Sequence, residues 1–188
     1  MTVPFMAALL SLALQPGDAD FAQGVEYRIE ARLDESSGVL HGRAELRYTN
    51  NAPSALDTLW FHQHLNAFRP NSAWALRELE FGERRFTDLG PNDHAFGRLT
   101  AVTIGGVSVR PVYPLAPDST VVGFPLVTPL TTGSTAIVAL DWQARPSTTP
   151  RRQGRSGRHY HFAQWYPRIA AYTEEGWQTQ ALMPQGEF

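Results

Sequence analysis

Cysteine is missing from the 188 residues, which removes disulfides, thiolate metal sites and cysteine nucleophiles together. Lysine is missing as well. All 16 basic residues are arginine, a codon-bias signature to which we attach no function. Charge is scarce: 18% of residues are charged and the net charge is −2, against a usual charged share of about a quarter. That balance argues against nucleic acid as the main partner, and a 43% hydrophobic share excludes a disordered chain. No G-x-S-x-G, H-E-x-x-H, Walker or G-x-G-x-x-G pattern occurs, so nucleophilic, zinc-hydrolase and nucleotide chemistries have no motif here.

Long apolar runs are lacking too. The one candidate, Val3–Gln15, falls short of the roughly 20 residues that span a bilayer, so no stable membrane span is expected. It matches a signal-peptide core, although a cationic start and a small-x-small cleavage site are both missing. The expectation is a periplasmic or secreted protein, with residues 1–22 as leader or disordered terminus and residues 23–188 as one domain. The chain stops on Gly186-Glu187-Phe188 with no polar tail, and the domain is expected to be truncated there.

What the sequence does contain is strand patterning. Val25, Tyr27, Ile29, Ala31 and Leu33 alternate with Glu26, Arg28, Glu30 and Arg32, the period of a half-buried strand. Asp34–Gly38 is turn chemistry, and Leu40 to Tyr48 repeats the alternation, so the two read as an antiparallel hairpin. A third strand is expected over Asp57–Leu65, then one short helix over Asn71–Glu80 capped by Asn71 or Ser72. Phe81–Arg98 has no period and reads as a long loop. Gly105-Gly106 joins Thr100–Ile104 to Val107–Val112 as a hairpin. Ser119–Leu126 is a strand whose end Pro125 demotes to an edge, and Thr135–Gln143 is another. At least seven strands at short spacing, with almost no helix, predict an all-β sandwich or open twisted double sheet of antiparallel strands.

Two sets of residues invite a chemical reading. His62-x-His64 and His159-x-His161 place imidazoles on one face of a strand. Neither has a carboxylate partner in view, so a wet or semi-buried sheet face is the expected reading and no metal site is assigned. Arg145–Arg158 carries arginines and no acid, without interleaved aromatics, and reads as a solvated or lid-like loop. The aromatic density peaks just after it, in HYHFAQWYPRIAAYTEEGW (His159–Trp177). Rings beside glutamine, arginine and proline suit a concave wall that holds a ligand's apolar part and fixes its polar end. Rings packed into a β-core are the plainer alternative.

The stretch YRIEARLDESSGVLHGRAELRYTNNAPSALDTLWFHQHLNAFRP, with RRQGRSGRHYHFAQWYPR and the final GW…GEF, resembles the N-terminal domain of zinc aminopeptidases of the aminopeptidase N type, the gluzincins. It is similar in particular to a bacterial branch with a Q-W-Y-P segment. The resemblance implies a saddle-shaped β-domain that covers a thermolysin-like catalytic domain, where the zinc and its H-E-x-x-H ligands lie. This chain alone would then be inactive and carry no cofactor; zinc and the peptide N-terminus as substrate belong to the parent enzyme. The family's pocket glutamine falls on Gln164, flanked by Trp165 and Tyr166 as substrate-binding residues. Tyr166 stands where the family has an acid or amide, which removes a charge-reading role there. The alternative from another class is a stand-alone β-sandwich module that recognises peptide or carbohydrate through the same aromatic wall.

Overall fold

The computed structural model describes residues 22–184; the apolar run at 3–15 and the last four residues lie outside that range. Twelve strands are formed: β1 Gly24–Asp34, β2 Val39–Thr49, β3 Leu56–His62, β4 Phe96–Ile104, β5 Val107–Ser108, β6 Val121–Leu130, β7 Thr135–Arg145, β8 Gly154–Ser156, β9 His159–His161, β10 Arg168–Ile169, β11 Tyr172–Thr173 and β12 Gly176–Trp177. One α-helix, α1, covers Ala73–Glu80. A five-stranded sheet runs β1-β2-β7-β4-β5 and a three-stranded sheet β10-β3-β6, antiparallel throughout. The all-β sandwich expected from the pattern is the fold. No helix in the described range is long and apolar enough to cross a membrane.

Period-two alternation builds the larger sheet. On β2 and β7 each alternate residue is buried, from Leu40 to Tyr48 and from Ala136 to Ala144. These side chains share one core with Leu59 and Phe61 of β3 and Val122 and Phe124 of β6. The outer face carries the charges, and the register opposes Glu26 to Arg47, Arg28 to Glu45 and Glu30 to Arg43. Cross-strand opposites of unlike charge are favourable; the ion pairs on this face join Arg47 to Glu26, Arg28 to Glu30 of its own strand and Arg43 to Asp141 of β7. A hollow of about 480 Å3 lies on it over Ala101, Thr103 and Ala139. β1 is one of the sheet's two edge strands, and only part of its apolar row is covered. Tyr27, Ile29 and Leu33 pack against the core, whereas Val25 is 48% exposed.

Four local expectations need correction. The third strand stops at His62, not Leu65, and the chain turns into a buried 3-10 turn, His64–Phe68. Asn66 explains it: its amide donates to Gly97 and Ser119 carbonyls and accepts from the Gly97 N–H, which an extended strand would not allow. The Gly105-Gly106 turn forms with φ of 56° and 81°, but its second arm is two residues long, because Pro111 and Pro114 cut short the continuation. β4 begins at Phe96, inside the expected loop. β6 continues through Pro125 to Leu130, with the pairing to β3 slipping between Leu56 and Thr58. The helix cap is Ser72, whose hydroxyl accepts from the Ala75 N–H and donates to the Ala67 carbonyl.

The arginine-bearing segment is exposed at Arg151, Arg152 and Arg158, as a solvated loop would be, and it is also stitched to its neighbours. Arg145 donates to the Pro91 and His94 carbonyls and lies over the Phe96 ring. Burial, with Arg155 acting the same way, holds its guanidinium below the ordinary value. Arg155 reaches the Pro146 and Asn92 carbonyls, and Arg158 pairs with Glu35. Arg151 and Arg85 converge on Glu78, which is 3% exposed and also accepts from the Trp74 indole at 2.9 Å. A guanidinium with several N–H groups in a fixed fork is suited to bridging carbonyls on different loops.

Candidate functional site

Between β9 and β10 the chain has no regular partner, so the corner Phe162–Pro167 is shaped by side chains reaching it from far along the sequence. The Trp142 indole N–H donates to the Trp165 carbonyl at 3.1 Å. The Tyr27 hydroxyl donates to the Pro167 carbonyl at 3.2 Å and accepts from the Ile169 N–H at 2.8 Å. Tyr27 and Trp142 stand on β1 and β7 of one sheet, so the corner is pinned at two points to a rigid surface. Burial pushes the Tyr27 phenol well above its usual range, and it remains a neutral donor at any ordinary pH.

The rings form a continuous train. Trp142 and Trp165 are 5.9 Å apart between centroids, Trp165 and Tyr166 5.6 Å at 71°, and Tyr166 and Tyr27 5.5 Å at 72°. The last two are edge-to-face contacts that favour a fixed arrangement. Tyr160 and Phe162 stack at 6.0 Å on the approach.

Within this frame Gln164 has φ +53°, the one positive value among the described non-glycine residues. A straight-chain side chain in that region is uncommon and costs about 1–2 kcal/mol. Its amide makes no hydrogen bond to another described residue, while Trp165 and Tyr166 on either side of the pins are committed to packing. The three residues expected to bind substrate therefore divide: two hold the wall and one is uncommitted. Beneath them is a notch of only about 10 Å3, lined by Gln63, Leu65, Trp142, Gln164, Trp165 and Tyr166, room for about one water. The wall is open, not a closed pocket. Sequence spacing missed Tyr27, Trp142 and Gln63. Nothing in the local sequence near residue 164 points to Trp142 on another strand or to Tyr27 and Gln63 more than a hundred residues upstream.

The histidine pairs divide as well. His159 and His161 are exposed on β9. His62 and His64, expected on one strand face, flank the start of the 3-10 turn and stack with centroids 4.6 Å apart at 11°. The described residues contain no group of three or more His, Asp or Glu that could hold a metal ion, so nothing in them fits the zinc implied by the resemblance. No hydrolytic step is assigned to this chain.

No family model matches the chain, and no curated protein matches it. Among solved structures it is similar to an M1 zinc metallopeptidase from Deinococcus radiodurans, with a TM-score of 0.43 and 19% identity over 74% of this chain and 26% of that one. A point mutant of that peptidase bound to a Tyr-Ser-Ala substrate gives 0.43 and 18%, over 75% and 28%. A two-domain M1 zinc metallopeptidase mutant bound to L-tryptophan gives 0.43 and 18%, over 77% and 27%. The chain spans about a quarter of the length of these proteins.

Proposed function

We propose that this chain is the N-terminal, substrate-pocket domain of a zinc-dependent aminopeptidase-like protein, with its reactive metal held by residues outside the chain. The observation that carries the reading is Gln164. A strained backbone with an uncommitted amide, on a wall pinned by Tyr27 and Trp142, fits a group held out for a ligand. An amide offers both a donor and an acceptor, which suits a peptide's first residue while Trp165 and Tyr166 cover its apolar part. The Q-W-Y-P segment supplies the link to aminopeptidases. The rival reading, a free-standing module for peptide or carbohydrate, uses the same open wall, and ligand binding by the isolated domain would favour it.

The test uses a protein that carries this domain together with an H-E-x-x-H domain. Gln164→Ala is expected to lower kcat/KM by about 2- to 13-fold, chiefly through KM, as loss of one hydrogen bond of about 0.5–1.5 kcal/mol implies. An unchanged kcat/KM across a panel of aminoacyl substrates would remove the role.

A further inference from the structure

The stacked pair His62 and His64 lies apart from the ring-lined wall, and it fastens a different part of the chain. The His62 Nε2 lies 3.0 Å from the Gln178 carbonyl. A carbonyl can only accept, so this nitrogen must be the one that carries the proton, and Nδ1 is bare in the neutral ring. That Nδ1 is buried without a hydrogen-bond partner. A second proton would therefore arrive at a site with no acceptor, against the face of His64. The groups around it give no relief. On β10, Arg168 stands directly opposite His62 and disfavours a further positive charge. On β6 the opposite residue is the apolar Val121. The run 176–184 has no ionisable side chain, and the acids Glu174 and Glu175 are exposed in the turn that precedes it.

The fastened segment is otherwise held by few contacts. Gln178 donates its N–H to the Ala171 carbonyl, Trp177 stacks on Tyr48 at 5.9 Å, and Leu182 is buried. We infer that His62 is an acid-released clasp: neutral, it closes residues 176–184 onto β3, and protonated it lets them go. Burial lowers the His62 value, and burial with His62 and Arg168 nearby pushes His64 down to about 3. A depressed folded-state value means that the clasp contributes fully above the ordinary imidazole range and is lost as pH falls through it.

Amide hydrogen exchange on the full chain, corrected for the intrinsic pH dependence, tests this. With His62 titrating at about 6.5 when released and lower when closed, the protection of peptide 176–184 should fall by up to about tenfold between about pH 7.5 and pH 5.5. Peptides from β2 and β7 should hold theirs. His62→Gln keeps a donor for Gln178 without a titrating group, and it should flatten the response. An equal loss in β2 and β7, or an undiminished response in His62→Gln, overturns the clasp. Nitrogen NMR on the unmodified protein decides independently of any variant: His62 should show the Nε2–H tautomer and a midpoint below the ordinary value of about 6.5 while closed. A Nδ1–H tautomer, or an ordinary midpoint near 6.5, overturns it.

Discussion

The five-stranded sheet and the run from Pro146 to Pro184 are built by opposite means. In the sheet, β1, β2 and β7 are 11 residues each and their backbones satisfy one another, so side chains are free to sort into a dry face and a wet one. In the later run the strands are two or three residues long. Several of its backbone groups are satisfied by side chains from elsewhere: Trp142, Tyr27 and His62. A segment held that way can take shapes that a ladder forbids, such as Gln164 at positive φ. It also depends on single bonds that a ladder would back up with neighbours. Backbone regularity and a strained, open side chain are alternatives, and the chain uses each where it suits.

The difference can be broken at its hinge. Trp142 serves both regions, being 2% exposed in the core and bonded to the Trp165 carbonyl. Trp142→Ala should cost about 3–5 kcal/mol by denaturant unfolding. Gly42→Ala attacks the same ring from beneath, because a Cβ there would lie 2.3 Å from two of its carbons. Overpacking of this kind costs about 1–3 kcal/mol. Tyr27→Phe keeps the ring and removes only the hydroxyl, leaving the Pro167 carbonyl and the Ile169 N–H without it. A loss of about 1–3 kcal/mol is expected, with exchange protection falling at residues 162–169 before it falls in β2. Equal loosening in both places would show that the corner and the sheet are not the separate constructions described. The smallest effect belongs to Gln164→Gly, which removes the amide and relieves the backbone together. Thermal unfolding should place its stability within about 1 kcal/mol of the parent, while kcat/KM of an enzyme carrying the domain falls about 2- to 13-fold.

The same contrast governs what the sequence made legible. The β1–β2 hairpin could be read almost to the residue, because alternation and a turn at Asp34–Gly38 are local signals; the observed register places Asp34 opposite Val39. Ser72 as a cap and Gly105-Gly106 as a turn are equally local. His64 was misread because its apolar neighbours continue a strand period, whereas the bonds of Asn66 to Gly97 and Ser119 that curl the chain are long-range. The stitching of the 145–158 loop was invisible for the same reason: the partners Glu78, Pro91 and Asn92 lie on another loop and a helix. At the wall, composition marked the stretch His159–Trp177 and the resemblance implied Gln164, Trp165 and Tyr166 within it, but neither the backbone of Gln164 nor the corner's two pins is encoded nearby.

The stitched loop has a consequence for reagents. With no lysine in the chain, acylating agents and amine-directed cross-linkers have no side chain to attack, and the loop should pass through such treatment untouched. A dicarbonyl that condenses with guanidinium groups would instead compete for the N–H donors that Arg151 and Arg155 spend on Glu78 and the Asn92 carbonyl. Exposure to it should unfasten residues 145–158 while leaving the long strands zipped.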